Sequence, residues 1–310
     1  MNYTKRTLKD LNVLDDFLMT AVATDPDVGN IFCRTLLSVL LQKEIGDIRV
    51  IAQRVIPAIS PEHRGIRMDI EIEEIRPESE ETTQTDSTDV AYPILNLYDV
   101  EPHLRSQQDY PRHNRFYQAK IDGRYMNSGE NNFSHLPNLY VINITDFDPF
   151  GYDYMLYTIQ NVCIELPEMP YPDGLQFLYF YTKGTKGGNT AIKSMLNYLQ
   201  DSSMHNVSNQ DIQTVHNCVE RVKILPEVKQ ELMKFDEIIY YAKQDGMEEG
   251  KIEGRVECIL ELLQEYGPIP ENLKERLLTE DFAVLTKLLK IAARAESVDE
   301  FIQKYNELAS

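Results

Sequence analysis

The sequence predicts an α/β protein: a mixed sheet flanked by helices, followed by an all-helical C-terminal region. Two periodicities carry this reading. Between residues 47 and 182, short runs alternate apolar with polar residues, as strands do; before and between them apolar residues recur at three- and four-residue intervals, as helices require. From about residue 208 only the helical period remains. The division implied is a first domain over 1–205 and a helical region over 206–310.

The elements follow in order. Residues 9–22 (KDLNVLDDFLMTAV) set Leu11, Leu14, Phe17 and Leu18 on one helix face, and 28–43 form a second helix after the break TDPDVG. Strands follow over 47–56 and 66–74, the latter placing Ile66, Met68, Ile70 and Ile72 against Arg67, Asp69, Glu71 and Glu73. Residues 76–91 (RPESEETTQTDSTDVA) carry too little apolar surface to offset their ordering entropy, which predicts a mobile loop within a hairpin. The returning strand is 94–101. A helix over 112–126, strands over 139–145, 155–162 and 175–182, and a helix over 190–200 complete the domain. Further on, Gly246, Gly250 and Gly254 share one helical stripe. Each costs about 1 kcal/mol relative to Ala, so the stripe predicts close backbone packing or a flexible connector. Residues 271–308 form a helical tail.

Charge narrows the function. A net charge of −19 excludes nucleic-acid binding through a broad basic surface, which depends on many Lys and Arg contacts to phosphate. A local basic patch with a divalent cation remains compatible. No apolar run is long enough to cross a membrane, and the N-terminus lacks the apolar core of a signal peptide, so the expected location is cytoplasmic with no membrane contact. Cys33, Cys163, Cys218 and Cys258 are far apart and lack zinc-ligand spacing, which predicts reduced core thiols.

The run YDVEPH at 98–103 is where chemistry is expected. Alternation puts Asp99, Glu101 and His103 on one strand face and Tyr98 and Val100 on the other. Three titratable groups in a row are costly to bury without partners. Asp69, mid-strand on the neighbouring hairpin arm, and Glu101 can converge on a divalent cation, leaving His103 to orient or deprotonate water. Spacing alone equally allows these charges to line a solvated sheet face.

RGIRMDI, YDVEPH and the run PRHNRFYQAKIDGRYMNSGENNFSHLPNLYVINITDFDPFG together resemble the PD-(D/E)XK nuclease superfamily, in its transposase-like or recombination-promoting nuclease branch. The resemblance extends over roughly residues 8–200, and the C-terminal helices are also similar to that branch's tail. It implies a restriction-endonuclease-like core, with Asp69 and Glu101 as the two acidic metal ligands and His103 where the family has Lys or a Gln-like polar residue. His has an ordinary pKa of about 6.5, so it fits a neutral water-orienting group better than a fixed cation. The Pro102 carbonyl is a third candidate ligand, and hard oxygen donors suit Mg2+, or Mn2+ as a substitute. On the following helix Arg115, Gln118 and Asp122 share a face, with Arg115 placed to steady the scissile phosphate and Gln118 beside it. A surface network of Arg115 with Asp122 is the competing reading.

The activity implied is metal-dependent DNA cleavage leaving a 5′-phosphate and a 3′-hydroxyl, in recombination, mobile-element movement or defence. A nuclease-like module that binds DNA or a protein without cutting is the alternative. The C-terminal helices offer a homodimer interface or a cap on the core. DFDPFG (146–151) lacks the other kinase signatures, and KGTKGGNT (183–190) lacks the P-loop order; its glycines serve a turn, with Asn189 as a helix cap.

Overall fold

The computed structural model describes residues 6–56, 66–76, 94–106, 109–126, 132–133 and 136–309. The acidic segment expected to be a loop therefore lies outside the described residues from Pro77 onward. The first expected helix starts late: Leu8–Asp10 is a single 3-10 turn, and α1 is Asp16–Ala23, begun where the Asp15 carboxylate accepts the Phe17 N–H. α2 is Gly29–Leu41.

A six-stranded sheet follows, built from β1 (Ile48–Ala52), β4 (Ile70–Ile75), β5 (Ile94–His103), β6 (Asn138–Thr145), β7 (Leu156–Ile159) and β8 (Leu175–Tyr181), in the order β1-β4-β5-β6-β8-β7. The expected hairpin is present, with β4 antiparallel to β5; β5, β6 and β8 run parallel, and both edge strands are antiparallel to their neighbours. Each strand expected to be continuous over 47–56 and 66–74 is broken. β2 (Val55–Ile56) and β3 (Ile66–Arg67) form their own two-stranded ladder, separated from β1 and β4 at residues 53–54 and 68–69. Gln53, at φ +48°, makes the break.

Helices cover both sheet faces. α1, α2, α4 (Thr190–Gln200) and α5 (Gln210–Lys223) contribute Leu18, Leu36, Leu196 and Val219 to one core with Ile72, Tyr98, Val100, Ile142 and Phe180 of the sheet. On the other face α3 (Tyr110–Tyr125) packs Ile121 against Leu97, Leu139 and Val141, with Ile66 and Met68. Covering that second face has a consequence for the charges: Glu71, Glu73, Asp99 and Glu101 lie on it and are buried. The solvated-face reading of these carboxylates therefore does not hold.

The turn after β8 is set by a close approach. A Cβ on Gly184 would sit 2.6 Å from the Met155 backbone nitrogen and 2.7 Å from its Cα. We expect Gly184→Ala to destabilise the chain by about 2–3 kcal/mol through overpacking against main chain, measured by urea denaturation; an unchanged midpoint would contradict the contact.

The chain forms two compact units, 1–232 and 233–310. The first runs past residue 205 because α5 and the start of α6 (Pro226–Gln264) bury Ile212, Val215, Val222 and Leu232 in its core. The second is helical, its core made by Val256, Ile259 and Leu263 of α6 with residues of α7 (Leu273–Leu278), α8 (Phe282–Ala292) and α9 (Val298–Ala309). At Gly246, Gly250 and Gly254 an added Cβ would meet nothing within 4 Å, so the stripe does not pack closely within this chain among the described residues. Cys33 and Cys218 are buried free thiols, whereas Cys258 is exposed. Among the described residues no helix is long and apolar enough to cross a membrane.

Candidate active site

The site grows from the β4–β5 pairing. Glu71 lies opposite Asp99 and Ile70 opposite Val100. One step further, where β4 has ended, Asp69 meets Glu101: its backbone N–H donates to Glu101 Oε1 at 3.1 Å. The break between β3 and β4 permits this. The Asp69 carbonyl still accepts the Gln53 N–H at 2.9 Å, and Met68 N–H donates to the Arg54 carbonyl at 2.9 Å, but the Asp69 N–H has left the ladder for a side chain.

The carboxylates on this face divide into two groups. Glu71 is fully buried yet accepts from Arg54 at 3.1 Å and from Arg124 of α3 at 2.7 Å, and Glu73 is paired with Arg49. Asp69, Asp99 and Glu101 have no ion pair to Lys or Arg among the described residues, and neither Asp99 carboxylate oxygen has a hydrogen-bond partner there. Removing one partner of a buried pair leaves an uncompensated charge. We expect Arg124→Ala to cost about 3 kcal/mol of stability and to loosen α3, measured by urea denaturation and amide exchange; Glu71→Gln in the same background should restore part of the loss.

Crowding shows in the titration of the unpaired three. Asp69 is raised to about 6, by burial first and Asp16 second, with Glu101 and Arg67 opposing. Asp99 is raised to about 8 by burial, with Asp69 and Glu71 adding to the rise, and Glu101 is raised well above the ordinary carboxylate range by burial and by Asp99 and Asp69. Carboxylates this close and this dry cannot all ionise unless a cation joins them.

His103 follows on the same strand face, half-buried, its Nε2 buried without a partner among the described residues. Its pKa falls to about 4, by burial first and His113 second, with Asn143 acting the other way. Near neutral pH the ring is an uncharged imidazole with a lone pair to offer. Tyr110, at the start of α3, packs edge-on to it with centroids 5.0 Å apart, and Asn143 lies beside Glu101 on β6. The Tyr110 hydroxyl and Asn143 Oδ1 are likewise buried and unpartnered among the described residues.

Asp69, Glu101 and His103 form the floor of an open cleft of about 760 Å3, which Pro102 also lines. Its wall is α3, started by Asp109 at φ +66° and by Pro111, whose missing N–H costs nothing in a first turn. The face turned to the cleft carries Arg112, His113, Phe116 and Tyr117. Arg115 is exposed and does not line the cleft, and Gln118 donates to Asp122. Helical spacing identifies which residues share a face; the way α3 crosses the sheet selects the face. Away from α3 and its cap, two more cleft residues escape a reading of the sequence. Asp16 hides as the second acid of the cap LDDF, and Arg67 is one of several basic residues on alternating strands.

The donor set fits a hard divalent cation. Asp69 and Glu101 bring carboxyl oxygens to one cleft that Pro102 also lines, and the Asp99 carboxyl beside them has no hydrogen-bond partner among the described residues. Among the described residues no three Asp, Glu, His or Cys side chains converge into a ready-made cage. Mg2+ commonly binds through one or two carboxylates and keeps several waters. No family model, curated protein or solved structure matches the chain in comparisons with known proteins.

Proposed function

We propose that the chain is a divalent-metal-dependent DNA nuclease of the PD-(D/E)XK kind, with Asp69, Glu101 and Pro102 holding Mg2+ or Mn2+. The observation that carries this reading is the meeting of half-buried Asp69 with buried Glu101 at a strand break on the cleft floor, beside buried Asp99, with no ion pair from Lys or Arg to any of the three among the described residues. The cation would supply Lewis-acid polarisation of the phosphate and charge compensation for the floor. His103, neutral and with a buried lone pair or N–H unspent, orients the attacking water. Arg67 and Arg112 supply positive charge for the phosphate at the cleft wall, the task expected of Arg115.

One observation favours the non-cutting alternative: a His held neutral cannot provide the fixed positive charge that a Lys brings to this position. Supercoiled plasmid incubated with Mg2+, Mn2+ or EDTA separates the two readings. The nuclease reading expects nicking that needs the cation and shows no step from His103 near pH 6.5. Intact plasmid under all metals would leave a binding module.

A further inference from the structure

We propose that the cleft takes an unpaired stretch of DNA, one base stacking on Phe116 while the adjoining phosphates meet Arg67 and Arg112. This rests on the nuclease reading for the identity of the polymer and goes beyond it in naming the substrate's form. The first argument is depth. Glu101 is only 5% exposed and His103 Nε2 is buried, so a scissile phosphate must descend to the floor between α3 and the sheet. A cleft of about 760 Å3 is of the size that encloses a small organic molecule, which admits one or two nucleotides and not a turn of duplex.

Charge is the second argument. Duplex binding draws on many phosphate contacts, whereas the cleft offers two guanidinium groups, one of them 3.4 Å from Asp109, on a chain of net charge −19. The third is the aromatic wall. Phe116 is 37% exposed at the cleft edge, and behind it His113 and Tyr117 lie ring against ring with centroids 4.2 Å apart. The Tyr117 hydroxyl donates to the Arg67 carbonyl at 3.2 Å, tying the wall to the strand opposite. Aromatic faces beside a short cationic track are how proteins hold single strands without reading their sequence.

The test is fluorescence anisotropy with full-length chain, as wild type in EDTA and as Glu101→Gln in Mg2+. The probes are a labelled oligo-deoxythymidylate of about 15 nucleotides and a labelled hairpin duplex of similar length. The single strand is expected to bind at least about tenfold tighter, with a log–log salt slope near about −1.4, the value for two phosphates on a single strand. Phe116→Ala should weaken it by about tenfold or more, and Phe116→Trp should restore it. Equal or tighter duplex binding, a salt slope steeper than about −4, unchanged affinity in Phe116→Ala, or no binding of either probe would overturn the inference. Failure here with metal-dependent nicking of plasmid leaves the nuclease reading standing; tight single-strand binding without any cutting removes the nuclease reading and keeps the inference.

Discussion

Glu101→Gln should abolish metal-supported plasmid nicking while leaving the chain folded and, in EDTA, at least as stable as wild type. The amide keeps an oxygen to accept the Asp69 N–H, so the local geometry persists. What disappears is a carboxyl able to ionise beside Asp69 and Asp99 when a cation binds, since burial and those neighbours hold its pKa well above the ordinary range. Losing several kcal/mol of transition-state stabilisation corresponds to a rate lower by about 10^3 or more. Relief of carboxylate repulsion acts in the opposite direction on stability, because no basic partner is stranded by the change. Parallel measurement of nicking rate and thermal midpoint decides the matter: activity within tenfold of wild type would remove Glu101 from the chemistry, and equal losses of activity and stability would make its role structural.

The second large effect is on stability against pH. Asp69 and Asp99 titrate near about 6 and about 8 in the fold, against an ordinary 3.8. Between these limits the folded chain binds more protons than the unfolded one, so stability falls as pH rises from about 4 to about 8. The contribution is full below the unfolded pKa and is lost as pH passes through the folded values. The loss is on the order of a few kcal/mol for the buried Asp99. Thermal melts in EDTA should therefore show a lower midpoint at about pH 8 than at about pH 5.5, and Mg2+ should raise it more at the higher pH, since the cation competes with the retained protons. Asp99→Asn should flatten the profile. A midpoint that climbs across this range in EDTA would contradict the crowding of the three carboxylates.

Both results depend on side chains that the sequence marks clearly. Asp69, Glu101 and His103 are visible as acids and a base on alternating positions of two strands that a hairpin can align, and β4 and β5 do pair antiparallel. The period-2 pattern also assigns Tyr98 and Val100 to the opposite face, where they enter the larger core. The recruitment of Arg112 and His113 to the cleft in place of Arg115 and Gln118 was hidden, because helical periodicity is unchanged by rotating the helix about its axis. The break at Asp69 was hidden too, since an alternating run such as IRMDIEIEE reads as continuous whether or not Gln53 on the neighbouring strand turns to φ +48°.

What the sequence by itself determined is the α/β order of elements, the face on which each strand residue lies and the identity of the acids, because these follow from local period and residue chemistry. The tertiary structure alone decided that the acidic face is buried and how its charge is shared out. Glu71 and Glu73 form ion pairs with arginines on β1, α3 and the bend before β2, whereas Asp69, Asp99 and Glu101 form none with Lys or Arg among the described residues. That division depends on partners distant in the chain, brought within reach only when α3 closes over the sheet.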